Sequence, residues 1–261
     1  DKAISLPHFS YGGFCGTFHL NQSHMKKIIE SLSMQYSRGF MIRDFKPYSE
    51  HIFNEKVAYH LKLEKTSDNQ FSTFNKKLRS QVRKAIKNDI TIVSGNLEDF
   101  YTVYTENMHY KHGSPQLSRE FFNNLIQLYS SGETKIFIAK INEKVIGSSL
   151  MVGFHDFIEV CWAATSPRYN HLSPNMLLYW KMISYAVENE YRIFSFGRAN
   201  RDSGSQRFKK QWGASEIPLV WSSNKPLDLS HSKLKFLSKF WRLTPSFLTN
   251  SLSKLITKYI Y

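Results

Sequence analysis

The sequence predicts an α/β (α+β) protein built on a mixed, mainly antiparallel sheet with flanking helices. Three observations predict it. Strand-like segments at 135–141, 145–154 and 157–164 follow one another with only Asn142-Glu143-Lys144 and His155-Asp156 between them, which makes an antiparallel meander. On both sides of the meander the apolar period changes to that of helices. Short apolar runs at 90–93 and 193–196 separate those helices, so the order from residue 71 is α-β-α-α-β-β-β-α-β-α-β.

Residues 4–14 read as a short strand running into the Gly12-Gly13 turn. Asn21 or Ser23 caps a helix through Ser33. Segments 40–44 and 58–63 are strands; in the second, Tyr59, Leu61 and Leu63 alternate with His60, Lys62 and Glu64. Over 74–87 Leu78, Val82, Ala85 and Ile86 recur at helical spacing, with Lys76, Lys77, Arg79, Arg83, Lys84 and Lys87 between them. Helices are expected at 97–111 and 118–129, separated by Pro115. After the meander come a helix at 172–189, a buried strand at 193–196, a short helix at 203–212 capped by Asp202 or Ser203, and a strand at 217–221. The tail from Leu234 alternates apolar and basic residues and is split by Pro245 into two helices. Such a tail packs on the body or lies on a membrane surface.

Composition narrows the function. Aromatic residues make up 15% of the 261, far too many for a disordered chain. No run approaches the roughly 18 apolar residues of a spanning helix, and residues 1–20 do not have the pattern of a signal peptide. With only Cys15 and Cys161 a disulfide scaffold is excluded, and a reducing, cytoplasmic setting is expected. The net charge of +14 is segregated: residues 71–90, 192–213 and 225–261 carry +5, +5 and +6. That distribution points to a polyanionic partner, among nucleic acid, phosphorylated ligands and an anionic membrane surface, although three solvated helix faces would look the same.

Several chemistries have no sequence support. There is no zinc signature beyond the isolated pair His109 and His112, no G-x-S-x-G, no P-loop and no G-x-G-x-x-G. No metal and no cofactor is expected. What stands out is the stretch 194–213. An apolar strand delivers the chain to Gly197, where backbone can approach a ligand. Arg198 and Arg201 then fall in a polar loop, and the helix start after them favours an anion. Arg207, Lys209 and Lys210 interleave with Phe208 and Trp212, a mixture suited to a phosphorylated ligand with a base to stack on. Alternatively, the aromatic residues merely hold the sheet edge.

The same stretch, FGRANRDSGSQRFKKQWGA, resembles the signature of FemAB-like proteins, of the peptidoglycan-branching type, within the GNAT acetyltransferase superfamily. The helix SPNMLLYWKMISYAVENEYRIFSFGR is similar to their P-N-x-L-L-Y-W segment, with Asn175, Tyr179 and Trp180 in matching positions. Residues 100–122 look like their helix ending in R-x-x-G-T-P, with Tyr110 in the Arg place and Ser114 for Thr. Residues 75–92 are similar to their R-x-x-I-R-K-A-x-K-x-G segment, with Asp89 in the Gly place, and LPHFSYGGFCG resembles a strand-turn of their first lobe. The resemblance implies tandem acetyltransferase-like lobes with the first lobe partial: 1–66 as partial first lobe, 67–222 as second lobe and 223–261 as a basic amphipathic tail. The chain opens on Asp1, and an N-terminal portion is expected to be missing from it.

The resemblance also implies an acyl-group transferase that moves an amino acid from aminoacyl-tRNA, or an acyl group, to an amino group of a phosphorylated cell-envelope glycan precursor. The protein is then expected to be cytoplasmic, with peripheral contact to the inner face of the plasma membrane through the tail. Such transfer needs a deprotonated amine and a stabilised oxyanion. Arg198, Lys209 and amides near Ser203 are placed to serve the oxyanion, and Asp202 or a substrate group to take the proton; the sequence leaves that choice open. Ser203, Arg207, Phe208 and Lys210, with Arg83 and Lys84 on the other basic segment, are expected to bind substrate. In acyl-CoA-dependent relatives a Q/R-x-x-G-x-G/A turn holds the pyrophosphate. Here the place reads Arg168 to Pro174, with His171 where Gly is needed. An acyl-CoA-dependent N-acyltransferase of polysaccharide biosynthesis is therefore the alternative, and a non-catalytic polyanion-binding protein a third reading.

Overall fold

The computed structural model describes residues 2–15, 21–226, 232–245, 248–249, 252–253 and 256–257. The elements are β1 (Ala3–Ile4), α1 (Gln22–Gln35), β2 (Phe40–Asp44), β3 (His51–Phe53), β4 (Lys56–Lys62), α2 (Ser67–Thr73), α3 (Lys76–Lys87), β5 (Thr91–Ser94), α4 (Leu97–Glu106), a π-helical turn (Asn107–His112) and α5 (Arg119–Leu128). There follow β6 (Glu133–Ile141), β7 (Lys144–Phe154), β8 (Phe157–Thr165), a 3-10 turn (Pro167–Leu172), α6 (Pro174–Glu188), β9 (Ile193–Asn200), α7 (Gly204–Lys210), β10 (Ser215–Pro218), β11 (Val220–Ser223) and α8 (Ser232–Leu243).

The strands form two sheets. A seven-stranded sheet runs β10-β4-β9-β8-β7-β6-β5, and a four-stranded sheet runs β1-β2-β11-β3. The expected meander is the antiparallel run β6-β7-β8. Its first turn places Asn142 at φ 46 and Glu143 at φ 62, the two-residue geometry that matches the twist of paired strands. Both faces of the large sheet are covered, and period two makes this visible along β6. Phe137 and Ala139 join the core under α3 and α6, while Ile136 and Ile138 join a second core under α4 and α5. Helix α6 buries Met176 to Tyr179, Met182, Ile183, Ala186 and Val187, because the sheet lies on one side and α2 and α3 on the other.

Several elements differ from the sequence reading. The basic helix expected at 74–87 starts at Lys76, where the Asn75 side chain accepts the Leu78 amide at 2.9 Å; a separate helix, α2, precedes it, capped by Thr66. The strand expected to end at Phe196 runs on to Asn200, so Arg198 lies on a strand and not in a polar loop. Strand β4, assigned by sequence to the first lobe, is hydrogen-bonded between β10 and β9 of the large sheet. Conversely, the chain leaves the large sheet after β10, and β11 inserts between β2 and β3 of the small one. The sheets therefore do not divide at residues 66 and 222. Tail helix α8 docks on the π-helical turn: Arg242 donates to the Lys111 carbonyl, and the Ser238 carbonyl comes so near Gly113 that a Cβ there would lie 2.4 Å away. Beyond Pro245, Thr249 bonds His109, and Ser253 donates to Gln116 at 2.8 Å. Of the expected tail, 227–231, 246–247, 250–251, 254–255 and 258–261 lie outside the described residues.

Candidate active site: a cleft between parting strands

Strands β8 and β9 pair in parallel through Phe157↔Ile193, Ile158↔Phe194 and Glu159↔Ser195, and beyond that they part. Each strand carries an irregularity at the level where they separate. On β8 the register with β7 shifts between Val160 and Trp162, leaving Cys161 as the extra residue. On β9 the register with β4 shifts between Ser195 and Arg198. Bulges bend their strands, and two at one level open the sheet. Gly197 sits in the second at φ 68; a Cβ there would meet the Val160 carbonyl at 3.3 Å and Ser10 Oγ at 3.4 Å, so glycine suits both backbone and space. The opening is a cleft of about 380 Å³, walled by β8, β9 and α7 on one side and by His8, Phe9 and the π-helical turn on the other.

A carboxylate and an amine are buried in it. Glu159 is 7% exposed; its Oε1 accepts Ser10 Oγ at 2.7 Å and its Oε2 accepts Ser195 Oγ at 2.8 Å. Burial pushes its carboxyl above the usual range, while the two serines and the nearby Lys209 and Arg198 pull the other way. Lys209 is 6% exposed and its Nζ donates to the Arg198 carbonyl at 2.7 Å. Burial lowers its amine to about 8 against the support of Glu159. Arg198 aims its guanidinium at the Phe9 and Pro7 carbonyls, and Arg43 donates to the same Pro7 carbonyl. His8, between these cations and half-buried, is lowered to about 4 by burial first and then by Arg198 and Arg43. A carboxyl with a raised pKa is suited to take a proton from an amine, and a lysine beside it to steady a developing oxyanion.

Of the residues expected from sequence, the structure brings Arg198, Lys209 and Tyr179 to the cleft, with Ser205 beside them. Phe208 is half-buried, edge-on to Tyr179 at 4.9 Å, and packs with Trp212. Asn175 is half-buried in the first turn of α6. Asp202 does not reach the cleft: it is exposed in a turn at φ 58, its amide bonded to Gln206 Oε1. Ser203 is the cap of α7, accepting the Gln206 amide at 3.1 Å. The Gln206 amide is thereby taken by the cap of its own helix. Trp180 faces away, packed on Phe71 and Phe74. Lys210 pairs with Glu216 at 3.2 Å, Arg207 is exposed, and Arg83 and Lys84 lie on the exposed face of α3. Among the described residues no cluster of side chains could hold a metal ion.

The sequence reading missed Glu159. Its signal was a lone acid inside the apolar strand Phe157–Thr165. The turn where a CoA pyrophosphate would sit is wound into 3-10 helix. The amides of Tyr169, Ser173 and Met176 bond to the carbonyls of Ser166, Asn170 and Ser173, and Pro174 has none to give.

The family model for the acetyltransferase (GNAT) domain matches residues 72–210, more than half of the chain, and the chain belongs to that family. It is 33% identical over 118 residues to the aminoacyltransferase FemA of Staphylococcus epidermidis, a stretch that is 40% of this chain and 28% of that protein. The chain thus spans less than a third of the curated relative it matches. Among solved structures, FemX aligns with a TM-score of 0.56 at 16% identity over 63% of this chain and 61% of its own. L-PGS from Bacillus licheniformis aligns with a TM-score of 0.56 at 12% identity over 85% and 78%. At these identities the likeness is one of fold.

Proposed function

We propose that this chain carries the transfer site of a FemAB-like enzyme, which moves an amino acid from aminoacyl-tRNA to an amino group of a phosphorylated cell-envelope glycan precursor. The observation that carries the reading is that Glu159 and Lys209, both buried, line one cleft where β8 and β9 part. In this reading Glu159 takes the proton of the attacking amine. Lys209 hydrogen-bonds the oxyanion of the tetrahedral intermediate, and Tyr179 and Phe208 line the approach of the donor's terminal nucleotide. The 33% identity to an aminoacyltransferase over 118 residues supports this donor class. So does the 3-10 turn at Pro167–Leu172, where the amides of Tyr169 and Ser173 bond to the carbonyls of Ser166 and Asn170. The exposed cations of α3, Arg83 and Lys84 among them, would hold the donor's phosphodiester backbone. We place the four-stranded sheet with the partial first lobe of the tandem.

The tail supports a peripheral contact with the inner face of the plasma membrane. Phe240 and Leu243 of α8 are exposed beside Lys239 and Arg242, and Leu248 and Leu252 are exposed as well. No helix among the described residues is long and apolar enough to cross a membrane.

A second reading, acyl-CoA as donor, is favoured by the acetyltransferase family whose model matches. The test supplies the purified protein with a peptide-bearing nucleotide precursor and either labelled aminoacyl-tRNA or labelled acetyl-CoA. Label arriving from tRNA supports the first reading. Label arriving only from acetyl-CoA replaces it with the second, and tight tRNA binding without transfer makes the protein a polyanion binder.

A further inference from the structure

The segment from Pro7 to Ser10 is a strap over the cleft. Arg43 from β2 and Arg198 from β9 both donate to the Pro7 carbonyl, and Arg198 also to that of Phe9. His8 meets Phe121 edge-on at 5.4 Å and Phe9 meets Trp162 edge-on at 5.6 Å. The next residue, Ser10, is 5% exposed and donates to Glu159 Oε1 at 2.7 Å. The other oxygen of that carboxylate is held from its own sheet by Ser195, whose Oγ also accepts the Gly197 amide at 3.1 Å.

Resting on the reading of Glu159 as the proton acceptor, we propose that Ser10 is a positioning residue: delivered by the strap, it fixes the orientation and basicity of the Glu159 carboxylate, and Arg198 acts by holding the strap. The geometry is specific. A carboxylate in an apolar strand needs donors on both oxygens to stay ionised, and only one of the two comes from the sheet that carries it. The second crosses from a segment 149 residues away in sequence. Around the carboxylate stand Lys209 from α7, Arg198 from β9, Cys161 from its own strand and Tyr11 from the segment after the strap, with His8 and His112 lining the cleft. A donor on Oε1 favours the ionised form, so its loss moves the carboxyl titration upward.

The test titrates the whole protein, made with carboxyl-labelled glutamate, by NMR; Glu159→Gln identifies the signal. Ser10→Ala should raise the Glu159 midpoint by about one pH unit, the scale of one hydrogen bond to a charged group. Ser10→Thr should restore it. If Ser10→Ala fails to fold, Ser10→Cys, a weaker donor of similar size, is read in its place and should give an upward shift. A Ser10→Ala midpoint coincident with wild type overturns the proposal. The titration is read without substrate, so it stands or falls separately from the transfer assay. Where transfer is seen, the acid limb of its pH profile should move with the midpoint, and an unmoved limb overturns the positioning role.

Discussion

Residues 71–90 and 192–213 have the same formal composition of charge, six basic residues and one acid each, and the structure uses them in opposite ways. On α3 the cations are exposed except Arg79, which is half-buried, and none enters an ion pair among the described residues. In the second stretch most are tied down. Lys209 is buried on the Arg198 carbonyl, Arg198 holds the strap, Arg201 and Lys210 share Glu216, and Arg192 meets Asp156 at 3.9 Å. Equal charge density therefore does not imply equal role. An exposed row acts at a distance and is screened by salt. A buried lysine acts at one atom, and taking it out of water lowers its affinity for its proton.

Substitutions sharpen this contrast, and the largest effect is expected at Glu159. Glu159→Gln should lower the transfer rate about 10²–10⁴-fold, the range of a general base, with the donor KM little changed. Equal transfer by the variant would move proton acceptance to another group.

Lys209→Met should cost about 10²–10³-fold in rate, as removal of an oxyanion donor does. It should also change stability against pH. The amine is near 8 in the folded chain and 10.5 as a free side chain, so between those values the unfolded chain binds more protons and wild type gains stability as pH rises. That gain, roughly 3 kcal/mol, is complete above about 10.5 and absent below about 8; melting curves of Lys209→Met should lack it.

Reversing Lys76, Lys77, Arg83 and Lys84 to Glu tests the outward row. tRNA affinity should fall about tenfold or more, and the slope of log affinity against log salt should lose about one unit per phosphate contact removed. Stability should stay within about 0.5 kcal/mol for each site. An unchanged salt slope would leave α3 as a merely solvated face.

Phe208→Ala should cost about 2 kcal/mol of stability, less than a fully buried phenylalanine, because the ring is half-buried on Tyr179 and Trp212. A larger loss of tRNA binding than of stability would assign the ring to the donor. Asp202→Asn should change neither rate nor melting temperature measurably, since its side chain is exposed and outside the cleft.

What the sequence made legible follows the range of the interactions. The meander was readable because alternation and turn chemistry are local, and α6 because an almost wholly apolar helix has to be sandwiched. The break before α3 was hidden by Phe74, which is apolar and in phase with the helix, although Asn75 marks the cap. Strand β3 offered only His51, Ile52 and Phe53, and it is a strand because residues 221–223 come back to pair with it. Arg198 and Lys209 stood out through their neighbours in sequence. Glu159 left only the signal of a lone acid in an apolar strand, without the basic and glycine neighbours that mark Arg198 and Lys209. Its partners Ser10 and Ser195 lie 149 and 36 residues away.

The insertion of β11 between β2 and β3 has a consequence for synthesis on the ribosome. These two early strands do not pair with each other; each is hydrogen-bonded to residues 220–223. At about 5–20 residues per second, they emerge some ten to thirty seconds before the strand that joins them. During that interval the nascent chain exposes two unsatisfied strand edges, the form most open to wrong pairing with a neighbour. The small sheet is thus completed only once Val220–Ser223 has emerged, and a nascent chain stalled before Val220 should be a preferred client of chaperones.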